Sequence, residues 1–522
     1  MPKVAAARHL LAILLAIALP SFSGAAWAQA AAEKPAAKAP AIAIAESTTR
    51  HVLNIAGGRL DYVATAGTLP VLSDRQEVQG QAFYVAYQVP GGDTADRPIA
   101  FVFNGGPGAA SAYLHLGMVG PRRLVINGDG SQPPGPARLA DNPLTWLAFT
   151  DLVFIDPIGT GYSLPAGDDD KHVRDRFYGV RQDLRVLGQI IQLYLTRNGR
   201  WSSPKYLVGE SYGGFRAAIL TDYLQTEFGI AVQGALLVSP VLQFSLQRED
   251  SYRLLPWVVR LPTYAAVARF QRDPAQAAAG QDLAALQRPV EDFSLTTLLA
   301  DLGQGDGLQP SAADALYRRL AELTGLPVDL VARYRGRIPT AVFVKELLRS
   351  SGRALSFYDG SLANPDPRPA EPFPTGPDAE LSKINASLTA AISGYLRDEL
   401  KVVTDRPYRV LNSDVSRAWN WRSWHEHAQG FVGAAGNLQA ALNRNPGLKV
   451  IVAHGYYDLV TPYFASAYVL RQMALPEALR ANVMLKVYAG GHMIYTHGPA
   501  QRQLYDDARA LIRGEPEPAK RD

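Results

Sequence analysis

Three side chains of this sequence could between them move an acyl group: the hydroxyl of Ser211, the imidazole of His492 and the carboxylate of Asp458. A serine hydroxyl is a weak nucleophile. It needs a general base, and the base needs a third group to hold its ring. Ser211 is set in Gly209-Glu210-Ser211-Tyr212-Gly213, within the stretch YLVGESYGGFRAAIL. A Gly-x-Ser-x-Gly pattern presents its serine where a strand feeds straight into a helix, because the glycines let neighbouring backbone close in. In that architecture the acid and then the histidine follow the serine along the chain. Asp458 stands in HGYYDLVTP and His492 in GGHM, in that order.

The competing residues fit less well. His454 precedes Asp458 and breaks the order, and His497 reads as a surface loop residue. His425-Glu426-His427 lacks the i, i+4 histidine spacing of a helical metal pair and reads as structural. Asp156, in LVFIDPIGTGYS, ends a strand but comes before Ser211, so it reads as a structural residue beside a turn. A tetrahedral intermediate also needs donors for its oxygen. Residues 99–103 run into Asn104-Gly105-Gly106-Pro107-Gly108, where the bare amides of Gly105 and Gly106 could join that of Tyr212 in an oxyanion hole. Each such donor is worth about 3 kcal/mol to the transition state. No Lys-Ser/Thr pair follows these glycines, which disfavours a phosphate loop.

The elements that must position these groups are legible as short apolar runs. Strands are expected at 99–103, 205–208, 234–241, 449–453 and 483–488, and a helix from Phe215 with Phe215, Ala218, Ile219, Tyr223 and Leu224 at helical spacing. Gly229 then suits a left-handed C-cap. Reactive groups at strand ends are the habit of open α/β sheets, so the fold class expected is α/β. From 242 to 400 the pattern turns helical, in SAADALYRRLAELTG, VDLVARYRG, AVFVKELLRS and AELSKINASLTAAISGYLRDEL, with six prolines between Pro365 and Pro377 marking a loop. The expected organisation is a core of 49–241 and 401–515 with a mainly helical cap, 242–400, inserted over the site.

Taken together, NGGPG, NPLTW, FIDPIGTGYS, GESYGG, HGYYDLVTP and GGHM resemble the serine carboxypeptidases, a branch of the α/β-hydrolase fold. The similarity runs over residues 80–240 and 440–500. It implies a mostly parallel central sheet flanked by helices, Ser211 as nucleophile, His492 as general base and then acid, and Asp458 as the orienter of His492. It also implies Gly106 and Tyr212 as the oxyanion-hole residues, and Asn104, Gly105 and Glu210 as the substrate-binding residues, with Asn104 and Glu210 gripping a terminal carboxylate. Two carboxyl groups sit together comfortably when one carries a proton, so peptide hydrolysis should favour mild acid. No cofactor and no metal is implied; the partner is a peptide with a free C-terminus. The chain departs from the family in Val102, in Ala109-Ala110-Ser111 and in the Asp458 loop.

Composition sets the surroundings. Lys3 and Arg8 precede an apolar run at 10–19 too short to span a bilayer, and Ala26-Trp27-Ala28 suits cleavage before Gln29. The expectation is a signal peptide at 1–28, a loose Ala/Pro-rich leader at 29–48, and an exported, periplasmic or secreted protein. Cleavage there takes 52 basic against 48 acidic residues to 50 against 48, a near balance that argues against a nucleic-acid partner. With 0 cysteines, thiol catalysis and disulfides are excluded. No later run reaches the length of a membrane span. The same triad also serves an esterase, an aminopeptidase or an acyltransferase. Proline iminopeptidases, however, carry His before Gly-Gly-Pro-Gly, where this chain has Asn104.

Overall fold

The five residues Ile99–Phe103 are buried on both faces, which is why they form a continuous apolar run and not an alternating one. Ile99, Phe101 and Phe103 point into one hydrophobic cluster, and Ala100 and Val102 into another. The computed structural model describes residues 43–55, 57–167, 170–274, 282–423 and 428–515. The expected signal peptide, all but the last residues of the expected leader, and His425-Glu426-His427 lie outside them.

The central sheet is built from β1 (Ser47–Ile55), β2 (Gly58–Leu72), β3 (Val78–Gln88), β4 (Ile99–Phe103), β5 (Asp151–Ile155), β6 (Lys205–Glu210), β7 (Gly234–Val238), β8 (Lys449–Gly455) and β9 (Val483–Tyr488). Their order across it is β1-β2-β3-β5-β4-β6-β7-β8-β9, with the short segment Leu164–Pro165 pairing at the side of β3. β1, β2, β3 and β5 pair antiparallel. From β5 through β9 every pairing is parallel. Parallel neighbours need crossovers, and the helices that make them cover the two faces. On one face lie α1 (Val180–Arg197) and α2 (Tyr212–Phe228), which bring Leu187, Ile191, Phe215 and Ile219 to Phe101 and Phe103.

Register decides where the reactive loops emerge. Phe103 pairs with Gly209, Glu210 with Val238, and Val238 with Ala453. The C-terminal ends of β4, β6, β7 and β8 therefore stop within a residue or two of one another, and the loops after them share one edge. β7 ends at Val238, three residues short of the strand expected at 234–241, because Ser239 turns to φ 45° and Pro240 follows. β6 continues to Glu210, and α2 begins at Tyr212, three residues earlier than its apolar spacing suggests. Strand becomes helix with Ser211 alone between them. Gly229 is in the left-handed conformation expected of a C-cap.

Ser47 and Thr48, placed with the leader by composition, already pair in β1. The 242–400 stretch is mainly helical, including α3 (Leu261–Arg272), α4 (Pro310–Thr324) and α5 (Ala379–Gly394). It packs on both sides of the sheet. Residues of α3 and α4 join the cluster of α1 and α2, while Ile384, Leu388 and Ile392 of α5 join the opposite cluster, together with Leu504 of the C-terminal helix α6 (Gly498–Arg513). Among the described residues, no helix is long and apolar enough to cross a membrane.

Phe101 is 1% exposed and Tyr252 is 97% exposed. Phe101→Ala should cost about 3–5 kcal/mol and Tyr252→Ala less than about 0.5 kcal/mol, read as the difference in denaturant midpoint between the two variants.

Candidate active site

The site is assembled around the turn between β6 and α2. A Cβ on Gly209 would lie 2.0 Å from the Gly213 carbonyl oxygen, so backbone from both sides of Ser211 closes to a distance only glycine permits. Ser211 is held at φ 60°, ψ −124°, a region costly to a residue with a side chain. Its own amide donates to the carbonyl of Val238 at 2.8 Å. Gly105 closes in from the neighbouring strand end; a Cβ there would be 2.5 Å from the Tyr212 nitrogen. As the first residue of α2, Tyr212 has an N–H with no acceptor inside its helix. Gly106, in the same loop as Gly105, is exposed, with φ 99°.

Asp458 and His492 come from the loops after β8 and β9. The Nδ1 of His492 lies 2.8 Å from Oδ2 of Asp458, and both side chains are buried. Oδ1 of Asp458 accepts the amides of Val460 and Thr461, each at 2.9 Å. The Thr461 hydroxyl hydrogen-bonds to Oδ2 and lies 3.2 Å from Nδ1 of His492. With Nδ1 paired to the carboxylate, Nε2 is the nitrogen left to accept a proton. Burial opposes a charged imidazole, but the charge and hydrogen bond of Asp458, with the charge of Glu210, hold the pKa of His492 above its ordinary value.

Residues 238 and 239 link the two halves. Val238 accepts the Ser211 amide, and the Ser239 hydroxyl donates to the carbonyl of His492 at 2.7 Å. The Ser239 amide donates to Ala453, and its carbonyl lies 3.1 Å from the Thr461 hydroxyl. A second clamp comes from 242–400. The His492 amide donates to the Tyr358 carbonyl at 2.6 Å, and the Tyr358 ring meets the imidazole edge to face at 5.5 Å.

Glu210 precedes Ser211 and is 4% exposed. Its Oε2 accepts the Tyr495 hydroxyl at 2.6 Å, and Asn104 also hydrogen-bonds to it. The Asn104 side chain is oriented by the Leu114 amide, which donates to its Oδ1 at 3.1 Å, and the main-chain carbonyl of Asn104 accepts from Arg216. Burial pushes the carboxyl of Glu210 up to about 7, against the opposing pull of His492, Tyr495 and Asn104.

Residues 65–253 match the family described as serine carboxypeptidase. Over those residues the chain is similar to that family. A pheromone-processing carboxypeptidase, KEX1, from Coprinopsis cinerea is 33% identical over 181 residues, 32% of this chain and 27% of the relative. Serine-type carboxypeptidase F of Aspergillus niger is 27% identical over 194 residues, 36% of this chain and 32% of the relative. The chain thus spans less than a third of the length of these relatives where it matches them. Over the whole fold, the crystal structure of a prohormone-processing carboxypeptidase from Saccharomyces cerevisiae is similar with a TM-score of 0.52 at 15% identity, covering 87% of this chain and 91% of that one. That likeness is one of fold, the α/β-hydrolase arrangement.

The structure brings Asn104, Gly105, Glu210 and Tyr212 around Ser211, and joins Asp458 to His492. Asp156 is locked in the segment FIDPIGTGYS, where it accepts from the amide and hydroxyl of Ser111 and from the Tyr408 hydroxyl. His454 is buried in β8 with Nε2 2.8 Å from the Ser466 hydroxyl. His497 corrects an expectation. It is buried, not a surface loop residue, and its Nε2 lies 2.6 Å from Oδ2 of Asp359, a residue 138 positions away. Ser239, Tyr358 and Tyr495 had no motif to mark them; a polar residue directly after a buried strand was the one available signal for Ser239.

The folded state binds the Glu210 proton more tightly than the unfolded chain, whose carboxyl titrates near 4.5. Folding is therefore favoured by this group below that value and loses the contribution as pH rises toward 7. Glu210→Gln should abolish this part of the pH dependence, so that its stability falls less than the parent's between pH 4.5 and 8 in denaturant titrations at each pH.

Proposed function

We propose that this chain is a serine carboxypeptidase that removes C-terminal residues from peptides through an acyl-enzyme on Ser211. The Ser211 hydroxyl attacks the scissile carbonyl and passes its proton to Nε2 of His492, which Asp458 holds in the correct tautomer. The developing oxyanion is received by the amides of Gly106 and Tyr212. His492 then returns the proton to the leaving amine, and a water activated by the same imidazole releases the acid.

The observation that carries the carboxypeptidase reading over an esterase reading is the carboxyl of Glu210, buried with Asn104 one residue before Ser211. Protonated, it can donate to a substrate carboxylate; ionised, it would repel one. Glu210 and His492 titrate as a coupled pair, because each holds the other's charge. The productive arrangement has the proton on Glu210 and a neutral imidazole. Turnover of peptides therefore fades as pH rises past about 7 and Glu210 ionises. The 242–400 insertion is read as a cap that roofs this pocket, on the strength of Tyr358 packing against His492.

A peptide with a free C-terminus should be cleaved at least about tenfold faster, in kcat/KM, than the same peptide amidated, because one charged hydrogen-bonded contact is worth at least 1.4 kcal/mol. Equal rates would overturn the carboxylate grip. Ser211→Ala should abolish both rates while leaving the far-ultraviolet circular dichroism unchanged.

We further infer export, from the basic start and apolar run of residues 1–28. Intact mass of the protein recovered from its native host should correspond to a chain beginning at Gln29; a mass that includes residues 1–28 would count against it.

A further inference from the structure

Glu210 has a neighbour for which the reaction as proposed has no use. Tyr495 lies three residues after His492, in the short helical turn Ile494–Thr496, and its hydroxyl reaches Oε2 of Glu210 at 2.6 Å. The contact spans 285 positions of sequence and is buried at both ends. The ring has little freedom: a Cβ on Gly117 would lie 2.4 Å from its Cε2, so Gly117 is the slot into which the phenol fits. Gly117 follows Leu114, whose amide orients Asn104. One tyrosine therefore bridges the loop of the proposed base, the strand end that carries Glu210, and the segment that steers Asn104.

A phenol beside a carboxyl acts as a donor. Burial first, and then the charge and hydrogen bond of Glu210, keep the Tyr495 hydroxyl protonated well above its ordinary pKa. Oε2 of Glu210 is thus committed as an acceptor, and when the carboxyl is protonated its hydrogen resides on Oε1. A carboxylic acid with one oxygen so occupied donates from the other. We propose that Tyr495 is a positioning residue of the carboxylate pocket, which turns the acidic hydrogen of Glu210 toward the substrate's terminal carboxylate and sets the pH at which that hydrogen is lost. The inference rests on the carboxypeptidase reading and on the role of Glu210 within it.

The groups that bear on Glu210 are His492, whose positive charge favours its ionised form, and Asp458, whose negative charge opposes it. Tyr113 and Tyr358 are neutral phenols beside it, kept protonated by burial first and then by neighbouring charges that include Glu210, and Asn104 and Tyr495 donate to it. Of these, Tyr495 can lose its hydrogen bond by deletion of one oxygen with the ring retained. Removing a donor from an anion destabilises the anion, so Tyr495→Phe should raise the pH at which Glu210 ionises. A hydrogen bond to a charged group corresponds to a shift of about one pH unit.

The experiment is the pH profile of kcat/KM on a free-acid peptide for the parent, Tyr495→Phe, Glu210→Gln and the double variant. Turnover of an ester substrate without a terminal carboxylate serves as the check on folding. The expected result is an alkaline limb moved up by about one unit in Tyr495→Phe, with a higher KM for the free-acid peptide, and no further displacement when Tyr495→Phe is added to Glu210→Gln. An unmoved limb in Tyr495→Phe, or the same displacement in the Glu210→Gln background, would overturn the role of Tyr495 alone. A Glu210→Gln profile identical to the parent's would overturn the carboxylate reading itself, and this inference with it.

Discussion

The close passage of backbone across the turn at Ser211 is the constraint on which the site depends. With Gly209 and Gly213 packed to a separation that admits no side chain, one residue must carry the chain from β6 to α2. A strained conformation of this kind costs on the order of 1–3 kcal/mol and persists only where the surroundings over-determine it. Here they do. β6 is hydrogen-bonded on both sides, by β4 and β7, and buried throughout. One turn into α2, Arg216 forms a buried ion pair with Asp183 of α1 and reaches the carbonyl of Asn104. The strand, the helix and the glycine loop cannot relax independently of one another.

The second physical theme is the management of buried charge. Asp458 is buried with amide, hydroxyl and imidazole partners around both oxygens. Glu210 is nearly as deep but has fewer donors, and it prefers its proton far above the ordinary carboxylate range. The carboxylate that meets the imidazole is thus fully hydrogen-bonded, while burial holds the proton on Glu210.

Residues 242–400 tie down the loops that carry Asp458 and His492. Leu459, next to Asp458, donates its amide to Phe357, and Gly360 donates to Tyr457. The Phe357 amide is in turn fixed by Asp378, the side-chain cap of α5. The Asp458 loop, the His492 loop and a helix packed on the far side of the sheet are therefore joined by a few main-chain hydrogen bonds. Such bonds depend on geometry and not on residue type, and a sequence carries little trace of them.

The residues with the strongest local demands were legible without coordinates. Gly209, Gly213, Gly105 and Gly106 had to be glycine for steric reasons, and Asp458 and His492 followed short apolar runs legible as strands; β4 and β9 keep the bounds their apolar runs suggest. What only the tertiary structure decided is how distant segments face one another. The pairing of His497 with Asp359, the hydrogen bond of Tyr495 to Glu210, and the tie from Ser239 to His492 each join positions more than a hundred residues apart. Local sequence records backbone sterics and burial period, because those act over a few residues. The partner of a buried polar group is set by sheet register and loop packing, and these exist only once the whole chain has folded.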